Sequence, residues 1–411
     1  MAGVTIDHLV ALTVLLAALL IFIGLFNQTI QTAIIYQQRG DLATETSDLL
    51  DSMMLSTGFL PNGSSNWGTS GITPSGFGLQ DPEFTQYTLS PFSLMRLQSS
   101  MGQPVYYSNT GLYYSNVTMG FGDYLLVPYT ETINYSTALT LLGINGSYGF
   151  QLSIMPLITV SVSEKQAANP LEIAVNVTGA GLPLTNATVT YSFLEVNLAG
   201  SYPSYAIMYG LANTGSTGSV LLTFPQVTNA TIPYSFIAYA SFSGLVGVGY
   251  HQRESSQNQC VIPFVASLTT TGGTVIIANS YDVHNNGSPA PIAYNATFIL
   301  LAQDFAMRQM PLNATQESGV VNYGQGKGNV TELAIPTYNP GILVITYKVG
   351  TQGGVVLMPW GLSSLAFPLI FGGNPLGSDW VATDIRQVVV GGIPYQAKLG
   401  MWSLQGYWVT G

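Results

Sequence analysis

Catalysis or metal binding in this 411-residue chain would have to use very few candidates: His8, His251, His284 and the single cysteine, Cys260. Asp282, His284 and Asn286 ahead of Gly287 are spaced like the start of a calcium loop. The twelfth position, which needs a bidentate Glu, is Ala293, so a plain turn accounts for them. The sequence holds no Gly-x-Ser-x-Gly elbow, no His-Glu-x-x-His pair and no glycine loop of the phosphate-cradling kind. Gly272-Gly273 and Gly353-Gly354 sit within β patterns and read as hairpin turns. One cysteine makes neither an intrachain disulfide nor a cysteine metal site. No catalytic residue, cofactor or metal ligand is expected. A Ser-His-Asp triad gathered from distant positions stays open as a third alternative, a surface hydrolase.

The pattern with the strongest chemical content is the glycosylation acceptor Asn-x-Ser/Thr. It occurs twelve times among 23 asparagines, where composition alone would give roughly four. The acceptors are Asn27, Asn62, Asn116, Asn134, Asn145, Asn176, Asn186, Asn229, Asn286, Asn295, Asn313 and Asn329. Asn27 lies in an apolar stretch where a glycan would disturb packing, and it is set aside. The other eleven imply covalent glycans on surface loops outside the cell.

Charge points the same way. Only 7% of residues are charged, the net charge is −10, and Lys plus Arg number nine. A groove that tracks phosphates needs clustered basic residues, so no nucleic-acid partner is expected. Hydrophobic residues make up 47%, with 24 Tyr. Such a chain lacks the charge that keeps cytosolic proteins soluble, which leaves glycans or burial in a polymer as substitutes. The tyrosines fill cores and sheet faces, with some left for sugar stacking or self-association. Low charge also limits the protonation penalty at low external pH, which suits an archaeal surface in a hot or acidic habitat.

Elements able to carry such loops begin with Leu9 to Phe26, an uncharged run of 18 residues. As a helix it covers ~27 Å, close to the ~30 Å of a bilayer core. A cleaved secretory signal would start with basic residues, and none precedes Leu9. The pattern also continues: Ile30, Ile34, Ile35, Leu42, Leu49, Leu50 and Met53 recur at helical spacing, with Ile35, Leu42 and Leu49 seven apart. Asp41, Glu45, Asp48 and Asp51 lie between them, so this half is amphipathic, and Thr57-Gly58 and Pro61 end it. The residues expected to pack helix against helix or head are Leu9, Leu12, Leu16, Leu19, Ile23, Phe26, Ile30, Ile35, Leu42 and Leu49.

A hydrophobic helix running unbroken into an amphipathic half, ahead of a β head, resembles the archaeal type IV pilins and archaellins over about residues 3–55. Gly3-Val4-Thr5-Ile6-Asp7 is similar to their processing region, which implies cleavage between Gly3 and Val4. It also implies that the helices assemble in a filament core. The family carries a basic residue before the glycine where this chain has Ala2, so a signal anchor left uncleaved stands as the alternative.

The remainder reads as β. Leu171 to Val177 and Ala187 to Phe193 alternate with period two, Val220 to Phe224 and Tyr234 to Phe242 add strands, and glycine turns separate them. Gly181-Leu182-Pro183-Leu184-Thr185-Asn186-Ala187-Thr188-Val189, Thr217-Gly218-Ser219-Val220 and Tyr234 to Tyr239 resemble bacterial immunoglobulin-like domains, which implies a β-sandwich of spacer or adhesive type. Thr274 to Ala278, Ala293 to Leu301, Gly341 to Tyr347 and Val388 to Ile393 signal a second β domain, and Trp402, Tyr407 and Trp408 suggest a docked C-terminus.

The expected fold is mainly β with a long N-terminal helix. Its divisions are a helix (1–56), a small mixed α/β head (57–156) with short helices near Phe92 to Leu97 and Thr137 to Leu142, an immunoglobulin-like sandwich (157–251) and a second β-rich domain (252–411). The expected function is structural: a glycosylated, non-enzymatic subunit of an extracellular homopolymer that first resides in the membrane. The alternative is an anchored surface or adhesion protein that binds a neighbouring cell-surface component.

Overall fold

Residues 2–55 form one unbroken helix, α1 (Ala2–Leu55, 54 residues). No proline interrupts it, and threonines inside it donate to carbonyls one turn back, as Thr46 does to Leu42 (2.7 Å), so their hydroxyls do not compete with the helix. It stops at Gly58, whose φ of +65° and close approach to the Gly76 carbonyl (2.6 Å from a built Cβ) leave no room for a side chain. The computed structural model describes residues 2–65, 67–69, 73–83, 86–97, 133–197, 204–253, 369–378 and 380–404, and the strands named below within 105–128 and 261–360.

Numbered along the chain, the further elements begin with α2 (Pro91–Met95), β1 (Val105–Tyr107), β2 (Leu112–Met119), β3 (Gly122–Pro128), α3 (Tyr135–Leu141) and β4 (Tyr148–Pro156). The sandwich follows with β5 (Ile158–Gln166), β6 (Leu171–Gly179), β7 (Leu182–Pro183), β8 (Thr188–Asn197), β9 (Ser204–Asn213), β10 (Ser219–Phe224), β11 (Tyr234–Phe242) and β12 (Leu245–Arg253). Next come β13 (Val261–Thr269), β14 (Gly272–Asn279), β15 (Ile292–Leu301), β16 (Met307–Pro311), β17 (Gln316–Ser318), β18 (Asn322–Tyr323), β19 (Gly326–Lys327), β20 (Thr331–Ile335), β21 (Gly341–Val349) and β22 (Gln352–Trp360). The last three are β23 (Leu369–Gly372), β24 (Ala382–Val390) and β25 (Ile393–Ser403).

The strand partners depart from the chain order. The head sheet runs β23-β4-β25-β24, all antiparallel, so β4, before the sandwich, pairs with β23 and β25, which follow it by more than 200 residues. Alternation puts Phe150, Leu152, Ile154, Tyr395, Ala397, Leu399, Met401, Val388 and Val390 on one buried face. Against that face pack Leu42, Leu50, Met53 and Met54 of α1, together with Trp67, Leu79, Leu89 and Leu94 from the connecting segment. The expected boundary at 156 and the single domain over 252–411 therefore do not describe this sheet: 369–404 completes the head. Likewise β1, β2 and β3, expected in the head, join β13, β14 and β20 in a six-stranded sheet. Period-two patterning marks a strand but names no partner, and antiparallel pairing places no limit on the intervening loop.

Between β4 and β23 the chain makes an excursion. Its first part is a sandwich, with sheet β10-β6-β5 (β7 on β6) facing sheet β12-β11-β8-β9. Counting from β5 and leaving out the two-residue β7, this order is the immunoglobulin arrangement of first, second and fifth strands opposite third, sixth and seventh, with the fourth, β9, beside the third. Its core holds Phe193, Phe224 and Phe236, the first two stacked 4.1 Å apart. At the closed corner, Gly247 and Gly249 let β12 lie against β5, since a Cβ on either would strike the carbonyl of Ile158 or Val160. The second part supplies β13, β14 and β20 to the six-stranded sheet, and contains a five-stranded sheet of β16-β15-β21-β22 with β17 and the small β18-β19 pair. The outer face of the sandwich (Ile237, Tyr239, Val246, Val248) and Val344 of β21 join the head's own core.

The short helices expected near 92–97 and 137–142 are α2 and α3. The Val388–Ile393 hairpin is the β24–β25 turn through Gly391 and Gly392, both at positive φ. Trp402 is docked, 5% exposed, while Tyr407 and Trp408 lie outside the described residues.

Candidate assembly surface

The two halves of α1 meet different surroundings. From Ile6 to Ala33 every residue is exposed. These 28 residues span ~42 Å, longer than the ~30 Å hydrocarbon layer. Leu9, Leu12, Leu16, Leu19, Ile23, Phe26 and Ile30 all belong to this stretch, with exposures from 42% at Ile30 to 66% at Leu9. Gly3 and Val4 lie in the first turn of the same helix. Threonine hydroxyls along it are satisfied internally, Thr13 on Val10 (2.8 Å) and Thr29 on Leu25 (2.8 Å), so a dry environment costs them nothing. An apolar surface of this size in water marks a membrane or protein contact.

From Ile35 onward the stripe turns to the head. Ile35 is half-buried, Leu42 is 3% exposed, and Leu49 packs at the margin of the head core. The seven-residue spacing therefore forms one docking face. On the other face Asp41, Glu45 and Asp48 are exposed.

Polar contacts fix the docked half. Arg386 of β24 donates from Nε to Asp51 Oδ1 (2.8 Å), from Nη2 to Asp51 Oδ2 (3.1 Å) and Ser47 Oγ (3.0 Å), and from Nη1 to Asp384 Oδ2 (2.7 Å). Tyr87 donates to the same Asp51 oxygen (3.2 Å). The planar guanidinium suits this two-pronged grip, and it joins the helix to a strand 335 residues away. Burial pushes the Asp384 carboxyl up, but hydrogen bonds from Ser47, the Ile385 amide and Arg386 outweigh it and hold it below the usual carboxylate range. Where α1 leaves the head, Arg39 lies over the Trp380 ring at 5.7 Å. Neither contact is legible in the sequence: Asp51 reads there only as an acid between apolar positions, and nothing local pairs it with Arg386.

A second polar cluster closes one end of the sandwich. Tyr234 donates to Glu164 Oε2 (2.7 Å) and lies 3.1 Å from His251 Nδ1. Arg253 reaches Glu164 (3.3 Å), the Ala167 carbonyl (2.7 Å) and the Ile232 carbonyl (3.1 Å), with its guanidinium 4.7 Å over the Tyr234 ring. Burial pushes His251 down and, with the Glu164 hydrogen bond, Tyr234 up. These bonds tie β5, β11 and β12 to the loop after β5. His8 is exposed on the free helix, whereas His284, Asp282 and Cys260 lie outside the described residues. Among the described residues no three His, Cys, Asp or Glu gather closely enough to hold a metal.

The acceptor asparagines are scattered. Asn62, Asn145, Asn186 and Asn229 are exposed in turns; Asn134 caps α3; Asn176 is half-buried in β6. Asn116 and Asn295 belong to β2 and β15, and Asn286, Asn313 and Asn329 lie outside the described residues. Asn27 is on the free helix.

No protein-family model and no curated protein matches the chain. Among solved structures, the D0-D1 domain of intimin aligns with 53% of this chain and 98% of its own, at 9% identity and a TM-score of 0.21. A marsupial T cell receptor aligns with 50% of this chain and 97% of its own, at 10% identity and a TM-score of 0.16. Values this low carry no argument, and the sandwich assignment rests on the strand order above.

Proposed function

We propose that this chain is a non-enzymatic, pilin-like subunit of an extracellular filament, held in a membrane before assembly. The observation that supports it is the single helix whose first half is apolar and unburied while its second half is locked to a β head. A helix meant only to anchor could be joined to its cargo by a flexible linker. Here the docked stripe and the Arg386 grip join helix and head directly, which suits packing of the free halves in a filament core with heads outward. Transfer from lipid to such a core keeps the apolar side chains out of water at every stage. The resemblance around Gly3 and Val4 adds that cleavage there would release the subunit for assembly.

A second proposal, a signal-anchored surface or adhesion protein, draws on Ala2 standing where the pilin pattern has a basic residue. Electron microscopy and N-terminal mass spectrometry of the cell-surface fraction separate the two. Filaments with a mature start at Val4 support the subunit; detergent-soluble single chains that retain Met1 or Ala2 sink it in favour of the anchor.

A further inference from the structure

Glycan addition needs more than the Asn-x-Ser/Thr triplet. The transferring enzyme has to reach the amide and the hydroxyl two residues on from the same side, which an extended or helical backbone does not offer. A turn in which the Asn side-chain oxygen accepts from the backbone N–H of residue +2 bends the triplet in that way. The described acceptors divide on this geometry.

At Asn62 the side-chain oxygen accepts from Ser64 N (3.0 Å). Backbone bonds from Gly63 to Leu60 and from Leu60 to Ser64, both 2.8 Å, close the loop, and residues 61–65 are all exposed. Asn229 repeats the arrangement in the β10–β11 connection. Its side-chain oxygen accepts from Thr231 N (3.0 Å), Ile232 N donates to its carbonyl (3.1 Å), and residues 228–231 are all exposed.

Elsewhere the same groups are committed. Asn134 accepts from Thr137, three residues on (2.8 Å), to start α3, and its Ser136 is already helical. Asn176 lies mid-strand in β6, paired with Ser161 on one side and Ser219 on the other. Beyond Asn145 the Ser147 amide donates to the Ile144 carbonyl (3.2 Å). Thr188, two residues after Asn186, is held in β8 between Asn213 and Ser241.

We infer that, among the six acceptors whose hydrogen bonding or strand pairing is described above, Asn62 and Asn229 are the residues at which the folded chain takes N-linked sugar. The donor is a sugar activated on a phosphate or diphosphate carrier. The Asn Nδ2–C1 bond forms as the C1–oxygen bond to the phosphate breaks, the amide proton departs, and the phosphate takes the electron pair. One glycan would then stand on the head beside the end of α1 and the other at the edge of the sandwich, adding polar surface to a chain that is 7% charged. This inference rests on the exterior placement of the head proposed above, and it is independent of filament formation.

Glycopeptide mass spectrometry of the full chain from the cell surface tests it, alongside variants Ser64→Ala and Thr231→Ala, which keep each asparagine and remove the exposed hydroxyl. The expected result is sugar mass on the peptides of Asn62 and Asn229, bare peptides at Asn134 and Asn176, and loss of sugar in each variant at its own turn only. Sugar at Asn134 or Asn176 with Asn62 and Asn229 bare overturns the site assignment while leaving the exterior placement standing. Bare peptides at every acceptor overturn both.

Discussion

Residues 6–33 and 35–54 of α1 share one helix and one backbone geometry, yet the first is wholly exposed and the second carries a buried stripe. The difference lies in how apolar residues are distributed. From Leu9 to Phe26 the free half is apolar all round, so a single neighbouring sheet could never cover it, and it needs lipid or several helices. The docked half concentrates its apolar residues on one face and leaves Asp41, Glu45 and Asp48 in water, so one sheet is enough. Where a helix goes is thus set by the width of its apolar stripe as much as by its hydrophobicity.

The comparison breaks most readily in the free half. Leu19→Asp places a charge mid-span, at a cost of about 3 kcal/mol at a membrane centre. The variant should vanish from the membrane and filament fractions, while the melting temperature of the detergent-solubilised head stays unchanged. A matching loss of head stability would show that the halves are not independent.

Leu50→Ala tests the docked half in the opposite sense. Leu50 is 0% exposed, and truncation should cost about 2–5 kcal/mol of head stability, read by denaturant unfolding. Membrane partitioning should not change.

Arg386→Ala should have a smaller effect, about 1 kcal/mol, because its carboxylate partners are about a third exposed (36% and 28%) and water shares their charge. The informative readout is hydrogen exchange. Amides of residues 47–54 should lose protection ahead of those in β4 and β25; uniform change across the head would deny the grip a directional role.

The smallest expected effect is on pH dependence. The Asp384 carboxyl is held below its ordinary value in the folded chain. Its contribution is therefore complete above the unfolded pKa of about 3.9 and disappears as pH falls through the folded one. Wild type and Asp384→Asn should differ in melting temperature above about pH 4 and converge below it. A constant gap at all pH values would mean that the ionised carboxylate is not the source.

Much of this helix was legible in advance. The run from Leu9 to Phe26, the recurrence of Ile35, Leu42 and Leu49, and the stop near Gly58 are local patterns, and the structure places them as one helix with a docked second half. Strands such as Leu171–Gly179 and Tyr234–Phe242 were equally visible, because alternation is a property of a few consecutive residues. The acceptor triplets could be counted, but Asn62 and Asn176 look alike as triplets and differ in their hydrogen bonds.

By itself, then, the sequence determined the long helix, strands such as Leu171–Gly179 and Tyr234–Phe242, and that α1 changes character near Ile35. Tertiary structure alone decided that β4 pairs with β23 and β25, that the sandwich is an excursion from the head, and that Arg386 holds Asp51. The physical reason is range. Periodicity expresses how one segment meets water, whereas pairing and ion contacts depend on which segments the folded chain brings together. Any uncharged alternating strand offers the same backbone groups to every possible partner.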